Sequence, residues 1–405
     1  MAGTCAGSSF TVTVNVQPAL NNNTLNPAST LVCAGSTVVI TGSTPQGGNG
    51  TIYTYNWEER INNGSWNSVA TSKDYTTGTL SSNNATTNGI YEYRRSVTSG
   101  FCGTPDISLI ATINVQPVIA NVIAGDRIVC DNISPAALTG TPTGGSGTYS
   151  YQWQISSDNV SFANVPTNGN SETYVPDPIS NTTGSNIIRY FKRIVTSTGA
   201  TTTSTCLTAT SNSVSVTTQS ALVNNAITLA DPIICNGQGA TLINNATLGG
   251  GNGTYAYTWQ RAVGAGSFSP VSGATSATLA TGTLSSNGNA SETYSYKRLV
   301  TSGACTVPLE SNIFVITVLP PIIDNTITAD QTICLNATPA QIDGAFATGG
   351  NNTIIYSWYR SETSTSAGFN IISGETGQYS AIVSVSDTRL LSVNKEVNQY
   401  SDSYS

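Results

Sequence analysis

The chain has 405 residues, of which 9% are charged and 38% hydrophobic, with a net charge of −7 and no histidine. The acidic balance argues against nucleic acid or an anionic membrane as partner, and the missing histidine excludes Ser-His-Asp and Cys-His catalysis and every His-ligated metal site. The rest is rich in Thr, Ser, Asn and Gly, which is poor helix material, yet Val, Ile, Tyr and Trp recur too regularly for disorder.

Residues 1–18 carry Cys5 and then Phe10-Thr11-Val12-Thr13-Val14-Asn15-Val16, which alternates as a half-buried strand. A cysteine followed by alternation recurs at Cys102 with Ile110–Val115, at Cys206 with Val214–Val216 and at Cys305 with Ile313–Val318. Residues 1–18 therefore read as the orphan last strand of a preceding repeat. No signal peptide precedes them, and the expectation is a piece of a larger secreted protein.

Repeat one is expected over 19–117, repeat two over 118–219 and repeat three over 220–320. Each brings a cysteine, a Gly-rich turn and an aromatic strand ending in tryptophan. Gly47-Gly48-Asn49-Gly50 leads to Tyr53, Tyr55 and Trp57, and the same design ends at Trp153, Trp259 and, after Gly349-Gly350-Asn351-Asn352, at Trp358. The cysteine-to-tryptophan offsets are 57−33 = 24, 153−130 = 23, 259−235 = 24 and 358−334 = 24. These four tryptophans are the expected core aromatics. Trp66, Phe162 and Phe268 follow at a fixed offset and read as further core-like positions. Repeat four, 321–405, is expected to be incomplete: Asp387–Ser405 shows neither a Tyr-x-Tyr-Lys-Arg strand nor a closing cysteine and reads as a disordered or non-native tail. Alternating strands, frequent turns and no helical period give an all-β tandem array of Ig-like or PKD-like β-sandwich domains. No apolar run approaches transmembrane length, so no membrane insertion is expected.

Eight cysteines without a CxxC pair read as an oxidised, extracellular framework. The parsimonious pairing stays within repeats: Cys33–Cys102, Cys130–Cys206 and Cys235–Cys305, leaving Cys5 and Cys334 unpaired or intermolecular. Each loop so closed would remove roughly 4 kcal/mol of denatured-state freedom.

A cysteine, some 24 residues, a tryptophan, a Tyr-x-Tyr-(Lys/Arg)-Arg strand and Thr-Ser-Gly-x-Cys resemble the PKD-like and immunoglobulin-like repeats of giant secreted surface proteins of Bacteroidota, gliding-motility-type adhesins and type IX secretion substrates among them. The resemblance covers about 1–385. It implies tandem sandwiches, a cell-surface or extracellular location, and a stalk or adhesive role. Immunoglobulin domains carry their cysteines mid-strand, whereas here they lie before and after the corresponding strands, which implies a bridge stapling one end of the sandwich.

The basic pairs Arg94/Arg95, Lys192/Arg193 and Lys297/Arg298 could form a stripe for an acidic glycan. The plainer reading sets one member over an aromatic ring and the other in solvent. Asp126, Asp231 and Asp330 precede each first cysteine and could hold calcium at domain joints, but no Asp-x-Asp-x-Asp-Gly run is present, and no cofactor or metal is expected. No placed carboxylate pair or nucleophile emerges, so the chain is not expected to be an enzyme. The leading expectation is a non-enzymatic structural or adhesive segment of an extracellular surface protein, whose partners are neighbouring repeats and, beyond them, surface glycans or further copies. One alternative is a filament subunit joined by donor-strand complementation, strand 8–18 entering the open domain at 321–385 of the next copy. Another is the spacer of a secreted carbohydrate-active enzyme.

Overall fold

Period-two alternation puts successive side chains on opposite faces of an extended chain. In the computed structural model all four repeats are built from such strands, and no helix occurs among the described residues. Those are residues 2–3, 5, 7–198, 208–327, 330–334, 337, 339–362, 365–374, 376–377 and 392–399, with the side chains of 102, 392–394 and 396–399 set aside. They form two compact units, one of residues 1–179 and 187–218, the other of 180–186 and 219–405.

In the first unit, repeat one comprises β1 (Leu25–Asn26), β2 (Ser29–Cys33), β3 (Val39–Gly42), β4 (Thr54–Ile61), β5 (Asn67–Ala70), β6 (Tyr75–Thr76), β7 (Gly89–Ser99), β8 (Cys102–Ile107) and β9 (Ala111–Gln116). The small sheet is β1-β3-β6. The large one runs β2-β9-β7-β4-β5, with β8 also on β7. Its centre is the antiparallel ladder of β4 and β7, from Thr54 opposite Thr98 to Ile61 opposite Tyr91, and β2 runs parallel to β9 with Cys33 opposite Gln116. Ile40 from the small sheet and Trp57, Tyr93, Ile113 and Val115 from the large one share a buried core. Burying aliphatic and aromatic side chains of this size stabilises by roughly 1.5–3 kcal/mol each.

Repeat two follows the plan with β10 (Arg127–Cys130), β11 (Tyr149–Ser156), β12 (Ala163–Asn164), β13 (Ile187–Ser197), β14 (Thr208–Thr210) and β15 (Val214–Val223). Its large sheet runs β10-β15-β13-β11-β12, with β14 on β13, and Trp153, Tyr174 and Phe191 fill its core.

In the second unit, repeat three comprises β16 (Ile227–Thr228), β17 (Ile233–Cys235), β18 (Thr241–Asn244), β19 (Gly249–Gly251), β20 (Ala256–Val263), β21 (Ser269–Pro270), β22 (Leu279–Ala280), β23 (Glu292–Ser302), β24 (Cys305–Glu310) and β25 (Phe314–Leu319). The small sheet β16-β18-β22 faces the large one, β17-β25-β23-β20-β21, across a core holding Trp259. Repeat four supplies β26 (Ile354–Ser361), β27 (Asn370–Ile371) and β28 (Ser392–Gln399), in the order β27-β26-β28. The chain is an all-β tandem array of sandwich domains.

Two expectations at the chain's extremities change. Residues 8–18 form no strand: Phe10, Val12, Val14 and Val16 are all exposed, and no described strand pairs with them. Conversely, the supposed patternless tail contains β28, whose eight residues pair in full with β26. Its sequence hides the assignment because a single lysine stands where the other repeats carry a basic pair. The rest of Asp387–Ser405, and Ile382–Val385 before it, lie outside the described residues.

Candidate functional site

The four tryptophans are fully buried, and each indole N–H is satisfied by a loop carbonyl: Trp57 by Ser72 at 2.8 Å, Trp153 by Ser171, Trp259 by Ser276 and Trp358 by Gly377, each at 2.9 Å. A buried indole without such a partner would lose stability. Directly opposite each tryptophan, on the neighbouring strand, stands a basic residue: Arg95, Arg193, Arg298 and Lys395.

These cations are not solvated. Arg95, Arg193 and Arg298 have no exposed surface, and Lys395 has 4%. Strand parity dictates this: in β7, Tyr91, Tyr93, Arg95, Val97 and Ser99 share the buried face. The guanidinium of Arg95 donates from Nε to Asn23 Oδ1 at 2.9 Å, from Nη1 to Lys73 O at 2.8 Å and from Nη2 to Ser43 O at 2.9 Å. It also lies over Tyr55 and Trp57, 5.1 and 5.7 Å from their ring centroids. Asn23 returns its amide to the carbonyls of Arg95 and Asp106 at 2.9 and 2.8 Å. Arg193 repeats the arrangement with Asn121, Gly140 O and Glu172 O, and Arg298 with Asn225, Asn244 and Ala277 O. Burial lowers all three arginine pKa values from their ordinary position, but a guanidinium starts so high that it stays charged. In repeat four Lys395 Nζ donates to Ala345 O at 3.0 Å and lies 4.3 Å from the Tyr356 centroid, while Asn325 donates to Lys395 O. The assembly ties the incoming chain, the tryptophan strand and the crossing loops into one buried knot. The named donors of each cation are all committed to protein acceptors, which is structural chemistry. In repeat three two members of the knot, Asn244 and Tyr257, also line an open hollow of about 520 Å³.

The first members of the basic pairs point the other way. Arg94 lies 4.3 Å from the centroid of Trp66 and 2.7 Å from Glu58, and Arg60 covers the same ring at 4.7 Å while pairing with Glu92. Lys192 lies over Phe162 and Lys297 over Phe268. Trp66, Phe162 and Phe268 are thus half-buried rings on the outer face, not core residues as their fixed offset suggested. An outer face that carries cations at every first position needs aromatic cover for their stems.

The Gly-rich turn grips the chain where it enters each repeat. Gly48 N donates to Pro18 O at 2.8 Å, Gly145 N to Pro117 O at 2.9 Å and Gly350 N to Pro320 O at 3.0 Å. The first glycine has φ of +85° at Gly47 and +86° at Gly144, and a Cβ there would lie 2.1 Å from a carbonyl oxygen of the entering segment. Left-handed φ and close backbone approach both demand glycine. Asn352 occupies the last position of the turn in repeat four at φ +66°, which asparagine tolerates. Tyr53, Tyr149 and Tyr255 each donate their hydroxyl to the carbonyl of that first glycine, which gives the leading tyrosine its place at the rim.

Cys33, Cys130 and Cys305 are disulfide-bonded, and Cys5 and Cys334 are free and exposed. Pairing within repeat one or within repeat three does not fit the strand register. Cys235 stands opposite Leu319, next to the pairing of Val318 with Glu292 at the start of β23. Cys305 stands opposite Ser302 at the other end of that eleven-residue strand. At about 3.3 Å per residue the ends lie roughly 30 Å apart, against at most about 7 Å between the Cα atoms of a disulfide pair. In repeat one, Cys33 opposite Gln116 and the backbone of Cys102 opposite Ser99 are separated in the same way along β7. Cys130 ends β10, and Cys206 lies outside the described residues. In repeats one and three the two cysteines mark opposite ends of the repeat and do not staple one of them.

Asp126 accepts the Ser215 amide at 2.8 Å, which holds its pKa low, and Asp231 accepts from Ile233 at 3.0 Å. Asp126 is thereby tied to β15, and Asp231 to its own loop. Among the described residues no group of three or more Cys, Asp or Glu side chains is arranged to hold a metal ion, and no helix is long and apolar enough to cross a membrane.

A family model described as "Domain of unknown function (DUF8696)" matches residues 21–117, 119–220 and 224–320. No curated protein matches the chain significantly. Similar solved structures include the FN1–FN3 domains of chicken CNTN1 at 11% identity, covering 74% of this chain and 97% of that one with a TM-score of 0.29. Three N-terminal domains of the highly immunogenic outer capsid protein of bacteriophage RB49 align at 13% identity, covering 71% and 94%, with a TM-score of 0.36. The D1–D4 fragment of the ICAM-5 ectodomain aligns at 10% identity, covering 95% and 100%, with a TM-score of 0.34.

Proposed function

The chain belongs to the DUF8696 family, and from that premise we propose that it is a non-enzymatic structural segment of a large extracellular surface protein, a stalk of sandwich repeats that carries or forms a surface-adhesion element. The observation that supports this reading most directly is repetition without a singular site. The same tryptophan, cation and glycine turn recur in every repeat, and all of them are spent on holding the repeat together. In an enzyme one repeat would carry a constellation that the others lack. Oxidised cysteines fit an extracellular setting, and the resemblance to Bacteroidota surface repeats supports export through a type IX route. Replacing residues 19–320 by an unrelated sandwich array of equal length tests the reading. Attachment of cells carrying the parent protein is expected to survive this exchange and to fall when the array is simply shortened. Loss of attachment at preserved length would replace the spacer reading by direct binding, for example of a glycan.

A second reading has its own observation. Phe10, Val12, Val14 and Val16 alternate in sequence and are all exposed, the pattern of a strand offered to another sheet. In that filament reading 8–18 of one copy enters repeat four of the next. A synthetic 8–18 peptide that fails to bind the chain, together with a concentration-independent monomer, would exclude it.

A further inference from the structure

Repeat three departs from the common plan at one loop. Asn244 stands opposite Ile227 at the end of β18, where repeat one has Gly42 opposite Leu25 and repeat four has Gly344 opposite Ile327. From that position to the first glycine of the turn the loop is longer in repeat three, 250−244 = 6 against 47−42 = 5 and 349−344 = 5. Asn244, Asn245, Thr247 and Leu248 of this loop, with Tyr255 and Tyr257 of the aromatic segment that follows, line the open hollow of about 520 Å³, a volume in the range of small-molecule sites. Its polar groups are oriented and unspent. Arginine offers only donors, so the oxygen of the Asn244 amide faces Arg298, and the nitrogen is left with both its hydrogens for a ligand. Asn245 and Thr247 are exposed, and their side chains, like the Tyr257 hydroxyl, have no hydrogen-bond partner among the described residues. Tyr255 and Tyr257 are half-buried on either side of the exposed Ala256 and so share one side of the extended chain. The Arg298 guanidinium lies 5.3 Å from the Tyr257 centroid, and the Tyr255 hydroxyl donates to Gly250 O at 3.3 Å, which hold both rings in place. No lining residue is charged.

We propose that this hollow is a binding site for a neutral saccharide. A sugar ring presents a face of C–H groups, which packs on an aromatic ring, and an edge of hydroxyls, each both donor and acceptor. Tyr255 and Tyr257 supply the rings, Asn244 supplies a fixed pair of donors, and Asn245 and Thr247 donate and accept. A phosphorylated or acidic ligand would meet no cation here. A peptide would find few apolar contacts, Leu248 being the one large aliphatic side chain in the lining. With no carboxylate in the lining, the hollow binds a glycoside without cleaving it. The site goes beyond the spacer reading and does not depend on it: a shallow hollow binds weakly, and attachment carried elsewhere in the parent protein survives its loss.

The test is an NMR titration of the full, deuterated chain with neutral trisaccharides of glucose, mannose, galactose or N-acetylglucosamine at millimolar concentration. At least one is expected to shift the amides of residues 244–248 and 255–257 saturably. Asn244→Gly installs the residue that repeats one and four carry at this position and so keeps the fold. It is expected to weaken the binding about fivefold by removing the oriented donors. Asn245→Ala, at an exposed loop position, is expected to weaken it by a similar factor. Failure of every trisaccharide to shift these amides overturns the proposal, as does undiminished binding by both variants. An equal shift at Tyr149 and Tyr151 of repeat two also overturns it, because sugar would then be gathering on strand tyrosines without the loop.

Discussion

Arg94 and Arg95 are neighbours with the same side chain, and their fates are opposite. Arg94 lies on the outer face, paired with Glu58 and stacked on Trp66. Arg95 is sealed in the core with amide and carbonyl oxygens in place of water. The difference comes from strand parity alone. It shows that a charge can be a core residue when every donor of its planar fork meets an acceptor. Repeat four provides a natural variant of the inner position. Lys395 also faces a tryptophan, but an ammonium cannot make the forked contacts of a guanidinium.

Removing the inner cation is expected to have the largest effect. Arg193→Ala strands the Asn121 side chain and the carbonyls of Gly140 and Glu172 in a cavity, and should cost about 3–5 kcal/mol. Lys395→Ala should cost less, about 1–3 kcal/mol. Hydrogen exchange resolved by repeat measures both. Equal losses would dissolve the distinction between fork and point charge.

Gly42→Ala attacks the cradle and leaves the cation in place. A Cβ at Gly42 would lie 1.7 Å from Arg95 Nη1, and three hydrogen bonds prevent the arginine from yielding. About 1–3 kcal/mol is expected from overpacking. In repeat three Asn244 stands opposite Ile227 as Gly42 stands opposite Leu25, and its Oδ1 accepts from Arg298. Gly42→Asn is therefore expected to be milder than Gly42→Ala, measured by denaturant unfolding of the two variants.

Outside, Arg94→Ala breaks an ion pair and a stacked ring that are both partly solvated, and should cost under about 1 kcal/mol. A loss as large as that of Arg193→Ala would show that the outer face is not the weaker one.

The sequence declared the inner site more clearly than residue type suggests. Tyr91, Tyr93, Arg95 and Val97 already alternate, and the asparagine that receives each arginine recurs 72 or 73 residues upstream, at Asn23, Asn121 and Asn225. A prior that arginine stays wet hid both signals. Trp66 misled in the opposite direction, because a fixed offset from Trp57 says that a position is structural and not which face it occupies. The cysteines misled because sequence separation carries no direction. Only the eleven-residue length of β7 and β23 shows that a repeat's two cysteines lie at opposite ends. The tryptophan strands and glycine turns were legible because four copies exclude coincidence, and φ above zero needs glycine or asparagine in every copy.

The mildest contrast is between a cation that cannot titrate and an exposed carboxylate that can. Asp158 accepts from the amides of Val160 and Ser161 and from the Ser156 hydroxyl at 2.7–2.9 Å, and these bonds hold its pKa at about 2, below the ordinary 3.8. The folded carboxyl binds its proton less readily than the unfolded one. Its contribution is therefore complete above the ordinary value and is lost as the pH falls from about 4 to about 2. Amide protection of Val160 and Ser161 should decline over that window, while the core around Arg193, whose guanidinium stays charged throughout, keeps its protection. An NMR titration that puts Asp158 near 3.8 would remove the effect. Simultaneous loss of protection at Arg193 would show that the loop and the buried knot open together and are not independent parts of one repeat.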